Sequence, residues 1–338
     1  MGTGKTVYAL RASNQVLKKS TSGGAFSLIV DAVYQITNID DKPPVVYGAA
    51  FDNELNVLHS GAESRQDCNK FCGSKYVQSK IRDSLPELAK HLKHGRVVVF
   101  ASVPCQVNAV KNYLKKKNIN CEKLFTIDLL CHGSPSNNIW KDYVEWLQKK
   151  RNKKLVNFSF RTKQNIHYPY YARAEYSDGS YEFATQETQL YIELFFSSLA
   201  YNVACYHCKF ASEERTGDLT IGDFWGVEKV MPQLPPGKGT SLMIVNNEKG
   251  QILAEQIRNM TDVVMQQCYT DEYINYQDTL SCPVKKSSFY HKFTQDYASY
   301  DFNYVAKQYL RYNFRGKLRF ILKKAMLNTG FMEKLINK

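Results

Sequence analysis

No apolar run in this sequence approaches the roughly 18 residues that a membrane-spanning helix requires, so no transmembrane segment is expected. The opening residues, Met1-Gly-Thr-Gly-Lys-Thr-Val-Tyr-Ala-Leu10, lack the long apolar region of a signal peptide, and a cytoplasmic location follows as the expectation. No recognisable nucleic-acid module accompanies the net charge of +13, so no nucleic-acid partner is expected. Low-complexity segments are absent. Cysteine, by contrast, is plentiful. Nine thiols, an odd number, in a chain without an export signal predict reduced thiols or ligands over a disulfide framework. With 338 residues, 43% hydrophobic and 23% charged, the chain can bury a large core.

Periodicity predicts an α/β fold: a mixed sheet with parallel βα units, an antiparallel insertion and a helical C-terminal extension. Thr6 to Leu10 reads as a strand, and the Gly2-Thr-Gly-Lys-Thr6 before it lacks the upstream glycine and strand of a phosphate loop. A small-residue turn, Lys18 to Phe26, then runs into an apolar helix. Glycine lets backbone approach a ligand, and free N–H groups at a helix start attract phosphate, so Ser22, Gly23 and Gly24 are candidates to hold a pyrophosphate. Such a turn is also common without any ligand.

Val45 to Phe51 reads as a strand with Glu54 to His59 as its hairpin arm. Gly73 to Ser79 reads as a helix start and offers a lysine, a phenol and an amide in one segment. Val97 to Ser102 reads as a buried strand, followed by the turn at Val103-Pro-Cys105-Gln and a helix with Val107, Val110 and Leu114 as its stripe. The unit repeats, with Leu124 to Leu130, the turn Cys131-His-Gly-Ser-Pro135, and the stripe Ile139, Tyr143 and Leu147. Parallel strands bring their carboxyl ends to one edge, where open α/β sheets place ligands, so Cys105 and Cys131 are expected to be neighbours.

Residues 155 to 186 alternate like antiparallel strands, with a turn at Ser177-Asp-Gly-Ser180, and read as an insertion able to cover the site. An apolar helix from Leu190 to Leu199 leads into Cys205-Tyr-His-Cys208. Asp218 to Phe224 is the next strand, Pro232, Pro235 and Pro236 mark a loop, and Thr240 to Asn246 is the last clear strand.

Two cysteines separated by two residues can face one small object as thiolate ligands. Spacing leaves several readings open for Cys105, Cys131, Cys205 and Cys208. Four thiolates suit a cubane iron-sulfur cluster, and two or three with His132 or His207 suit zinc. Cys105 can also be a lone nucleophile with His132 as its base, or all four can be small buried hydrophobes. Cys68, Cys72, Cys121, Cys268 and Cys282 read as buried or incidental.

Seven ordered motifs resemble those of the coenzyme F420 hydrogenase/dehydrogenase beta-subunit family: Lys19-Ser-Thr-Ser-Gly-Gly24, Val46-Tyr-Gly-Ala-Ala-Phe51, Gly73-Ser-Lys-Tyr-Val-Gln-Ser79, Pro104-Cys-Gln106, Asp128-Leu-Leu-Cys-His-Gly133, Cys205-Tyr-His-Cys-Lys209 and Gly222-Asp-Phe-Trp-Gly226. They span about residues 7 to 250 in the family's order. The resemblance implies an FAD-containing iron-sulfur oxidoreductase that passes electrons between a cluster and a hydride carrier or small organic substrate. It implies one [4Fe-4S] cluster on Cys105, Cys131, Cys205 and Cys208. It also implies FAD contacts around Ser22, Gly23 and Gly24 and around Ser74, Lys75, Tyr76 and Gln78. Lys75, Tyr76 and His132 become candidate proton donors or substrate contacts, although core or cofactor packing suits each of them as well.

Two departures qualify the comparison. The ferredoxin-like cysteine runs found in many relatives are missing here, which implies an external electron donor such as a ferredoxin-like protein. The small turn usual before Pro-Cys-Gln is Ala101-Ser-Val103, whose valine narrows the expected flavin pocket. Members without the ferredoxin segment are often associated with bacterial surface-polysaccharide pathways, which implies a sugar or sugar-linked small-molecule substrate. The alternative function is a zinc-stabilised scaffold that kept the fold without redox activity. The organisation expected is a flavin-contacting α/β part over 1–85, a cysteine-cluster α/β part over 86–262, and a basic, Tyr-rich, mainly helical extension over 263–338. In that extension Arg311, Arg315, Lys317, Arg319, Lys323 and Lys324 alternate with apolar residues. This pattern suits a solvated helix face or a peripheral contact with a membrane or protein.

Overall fold

The computed structural model describes residues 5–37, 42–163, 171–234 and 239–328. Met1 to Gly4, Tyr170, and the Pro235 and Pro236 part of the expected loop lie outside the described residues.

Eleven strands are described: β1 (Thr6–Arg11), β2 (Val45–Phe51), β3 (Val57–Ala62), β4 (Val98–Ser102), β5 (Leu124–Leu129), β6 (Leu155–Thr162), β7 (Tyr171–Tyr176), β8 (Tyr181–Phe183), β9 (Leu219–Asp223), β10 (Ser241–Val245) and β11 (Val264–Cys268). Eight form one mixed sheet in the order β11-β1-β10-β9-β5-β4-β2-β3, and β6-β7-β8 form a second, antiparallel sheet. The expected fold class holds. β2, β4, β5 and β9 run parallel to one another, while β10 pairs antiparallel with both β9 and β1.

Side-chain alternation explains why this sheet has two buried faces. Val99 and Ala101 of β4 join Leu28, Ile29 and Leu253 beneath helices Ala25–Ile36 and Glu248–Arg258. Val98 and Phe100 point the other way, into a cluster with Leu88, Val107 and Leu114 from helices Ser84–Lys93 and Pro104–Lys116. The period of two in a strand makes both assignments at once. The second sheet packs its own aromatic core, Trp140, Tyr143, Phe158, Phe160 and Tyr191, against helices Asn137–Arg151 and Gln186–Phe196.

Several local outcomes differ from the sequence reading. Gly73 to Ser79 is irregular, because Lys80 is captured by backbone bonds to Val57 and His59 of β3 and Tyr76 is stacked on Phe195. The repeat of the strand-turn-helix unit is looser than its first copy: Cys105 lies within its helix, whereas after Cys131 the chain stays extended or looped until Asn137. Val264 to Cys268 adds an edge strand to β1, although its two glutamines and partial exposure hide it from a hydrophobicity reading. The apolar helix expected from Leu190 begins earlier, at Gln186, behind a reciprocal cap between Thr185 and Thr188.

Candidate functional site

Strand direction brings the site together. β4, β5 and β9 are parallel, so Ser102, Leu129 and Asp223 end at one edge of the sheet. β1 runs the same way through two antiparallel pairings, which delivers the Ser22 turn to that edge as well. There a cavity of about 900 Å³ opens, lined by Ser22, Gly24, Ser74, Lys75, Tyr76, Gln78, His132 and all four cysteines, Cys105, Cys131, Cys205 and Cys208.

The glycine turn is fixed by steric need. A Cβ on Gly23 would collide with Leu10 O and Ser241 N, so this residue is wedged between β1 and β10 and does not line the cavity. Its amide donates to Ser241 Oγ at 2.9 Å. Gly24 has φ +88°, where an L side chain is strained, and begins helix Ala25–Ile36 without any side-chain cap. The first amides of that helix therefore remain available at the cavity. Ser22 Oγ donates to Thr240 O at 3.1 Å, and Ser74 Oγ donates to Thr21 Oγ1 at 3.3 Å, which ties the two expected flavin segments to each other.

Lys75 is partly buried and its amine donates to Lys70 O at 3.0 Å and Cys72 O at 2.9 Å. Desolvation pulls its pKa down to about 8. Tyr76 stacks on Phe195 with ring centroids 4.2 Å apart, and its hydroxyl interacts with Arg161 and Ser74. Burial raises its pKa, so it stays protonated. Gln78 Oε1 accepts from Asn202 Nδ2 at 2.7 Å. His132 is exposed at the cavity wall; partial desolvation lowers its pKa, against the opposing pull of Asp223 and Asp278. Val103, at the cap of helix Pro104–Lys116, lines the same cavity.

The insertion does reach the site. Arg161 of β6 donates to the Asp223 carboxylate of β9 at 2.5 Å and, with Phe195, Phe196 and Asn202, forms part of the cavity wall.

All nine cysteines are free. Cys105 is the second residue of its helix, Cys131 follows β5, and Cys205 lies in a 3₁₀ turn, Val203–His207, with Cys208 just beyond it. Cys105 is exposed and Cys131 and Cys205 are partly buried; partial desolvation raises the pKa of Cys105 and Cys205 and takes Cys131 to about 12, and charge on neighbouring thiols of the set adds to each shift. These thiols are close enough to influence one another, and a bound cation would favour their thiolate forms. Among the described residues, however, no three His, Cys, Asp or Glu side chains already stand grouped around a metal position. The donor chemistry and the shared cavity fit a thiolate-bound cluster, and ligation would have to draw the thiols closer than they stand.

Sequence reasoning misses several parts of this site. His59 on β3 is buried, lines the cavity, and places Nε2 3.1 Å from Ala101 O. A carbonyl can only accept, so Nε2 carries the proton of the neutral ring and Nδ1 is a lone-pair acceptor. Nδ1 has no partner among the described residues. Burial lowers the pKa of this ring to about 4. Cys72, incidental by its spacing, lines the cavity with its Sγ 3.6 Å from Ser27 Oγ. Arg215 and Asp128 form a buried ion pair at the base of the site. Asp128 lies within a recognised motif that gives it no role, and His59 shows no signal beyond being polar in an apolar hairpin.

An α/β sheet whose strand ends converge on a thiol-lined cavity defines the class. The sequence profile of the family described as the C terminus of the coenzyme F420 hydrogenase/dehydrogenase beta subunit matches residues 95–270, slightly more than half of the chain, and the protein belongs to that family. Its fold is similar to a chain in a xenon-derivatized structure of the F420-reducing [NiFe] hydrogenase complex from Methanosarcina barkeri. The TM-score is 0.50 at 18% identity, over 77% of this chain and 81% of that one. No curated protein sequence matches. Among the described residues no helix is long and apolar enough to cross a membrane.

Proposed function

We propose that the protein is a flavin- and iron-sulfur-dependent oxidoreductase that binds FAD in the cavity and a [4Fe-4S] cluster on Cys105, Cys131, Cys205 and Cys208. The observation that carries this reading is the convergence of four free thiols and both expected flavin segments on one cavity of about 900 Å³. That volume is at the upper end of ordinary ligand sites and suits a large cofactor. When bound, the flavin would supply two-electron hydride chemistry toward a carrier or small organic substrate, and the cluster one-electron transfer from a ferredoxin-like donor.

The chain's own groups have distinct tasks in this scheme. The uncapped start of helix Ala25–Ile36, the Ser22 and Ser74 hydroxyls and the Lys75 ammonium suit a pyrophosphate, whose charge would compensate the partly desolvated amine. Tyr76 closes the wall by stacking and keeps a proton on its hydroxyl; His132, exposed on the cavity wall, can accept one at a ring nitrogen. His59 Nδ1 offers an acceptor to an N–H or O–H of whatever fills the cavity. A sugar-linked substrate, suggested by the family's association with surface-polysaccharide pathways, would have to reach this same space.

The test is an anaerobic visible spectrum of freshly purified protein, with iron, sulfide, zinc and released flavin measured on the same sample. Iron with sulfide, and a flavin band that bleaches on reduction, support the proposal. Zinc or no metal, with no flavin after anaerobic reconstitution, favours a scaffold instead.

A further inference from the structure

The helix Phe314–Asn328 shows its apolar side to solvent. Phe314, Leu318, Ile321 and Leu322 are 83%, 52%, 52% and 56% exposed. Spaced i, i+4, i+7 and i+8, they fall on one face of an α-helix. A different face fastens the helix to the body. Gly316, Phe320 and Lys324, at i, i+4 and i+8, are partly buried, and Lys324 Nζ donates to Ala184 O at 2.9 Å. The apolar stripe is therefore turned outward by an anchored helix.

Charge frames the stripe. At 100° per residue Arg315 and Lys317 flank it on opposite sides, and both are exposed. From Phe302 to Asn328 the sequence contains no Asp or Glu that would repel an anionic surface. An exposed apolar ridge with cations along both borders is the arrangement that lies in the plane of a membrane interface, apolar side chains among the acyl chains and cations at the headgroups.

We propose that this face docks the protein onto an anionic lipid surface. The inference is independent of the redox chemistry, since it involves no residue of the cavity. It places the enzyme beside a membrane without a spanning segment.

The experiment is co-sedimentation of the full-length protein with vesicles of phosphatidylcholine alone and of phosphatidylcholine mixed with phosphatidylglycerol. Sedimentation with the mixed vesicles only, weakened by added salt, is expected. Lys317→Gln should weaken it about fivefold. The pair Leu318→Ser and Ile321→Ser should weaken it about tenfold or more, with the circular dichroism spectrum and melting temperature unchanged because both positions are exposed. No vesicle binding, equal binding to both vesicle types, or binding indifferent to the Leu318 and Ile321 substitutions would overturn the proposal. A concentration-dependent dimer that the same pair dissolves, without vesicle binding, would also overturn it and assign the face to a second copy of the chain.

Discussion

Arg215 Nη2 donates to Asp128 Oδ1 at 2.8 Å, and the two side chains are 1% and 0% exposed. The same guanidinium donates to Phe210 O and Ser212 O, while the other Asp128 oxygen accepts from the amides of Thr216 and Gly217. The strand that ends before Cys131 is thereby bolted to the loop that follows Cys208. Arg215→Met would leave a buried carboxylate without its cation, and a loss of about 3–5 kcal/mol in denaturant unfolding is expected. Iron and sulfide retained after reconstitution should fall with it. The double change Asp128→Asn with Arg215→Met should recover part of the stability, and failure of that rescue would argue against the pair as the strut.

Gly23→Ala places a Cβ against Leu10 O and Ser241 N, both backbone atoms that cannot turn aside. A loss of more than about 3 kcal/mol is expected from overpacking of this kind. Gly73→Ala is the control. Its φ of +86° imposes strain of roughly 1 kcal/mol, but nothing lies within 4 Å of its added Cβ. Equal melting temperatures for the two variants would show that Gly23 is not wedged as described.

What is legible in the sequence follows from range. Val97 to Ser102 and Thr240 to Asn246 declare themselves as strands because nearly every side chain is buried, and a short apolar run has few other uses. Gly23 reads as a ligand-facing turn because its steric partners, Leu10 and Ser241, are brought in by β-pairing that local sequence does not encode. His59 escapes notice for the same reason: its burial depends on β4 lying alongside β2 and on Phe100 stacking against its ring at 5.0 Å. The cysteines stand out by motif order, whereas their shared cavity depends on the direction of β4 and β5 and on the path of the intervening insertion.

The buried His59 ring makes stability sensitive to acid. Its pKa is about 4 in the fold against an ordinary value of 6.5, so the unfolded chain binds the extra proton between those limits. Its stabilising contribution is complete above about pH 6.5 and is lost as pH falls toward 4, on the order of 3 kcal/mol in total. His59→Phe should remove this part of the pH dependence of unfolding. An unchanged profile would place the acid sensitivity elsewhere.

Lys75 has the opposite balance between stability and binding. Its amine is protonated at neutral pH despite a pKa drawn down to about 8, and this contributes a destabilising charge that vanishes only at high pH. Lys75→Met should leave unfolding stability within about 1 kcal/mol, or raise it, because charge burial ends as two carbonyl contacts are lost. Flavin retention should drop by about tenfold if a phosphate is its natural counter-charge. Undiminished flavin affinity in a stable Lys75→Met protein would remove the amine from the binding scheme.

Cys105, Cys131, Cys205 and Cys208 are proposed to act as one set. The most direct measurement is iron and sulfide per chain after anaerobic reconstitution, in the native protein and in four single Cys→Ser variants, with Cys268→Ser as control because Cys268 is buried on β11, outside the cavity lining. About four iron and four sulfide are expected for the native protein and the control, with marked loss in each of the four variants. Native-like iron in any two of the four, or no iron in the native protein, would contradict the single set.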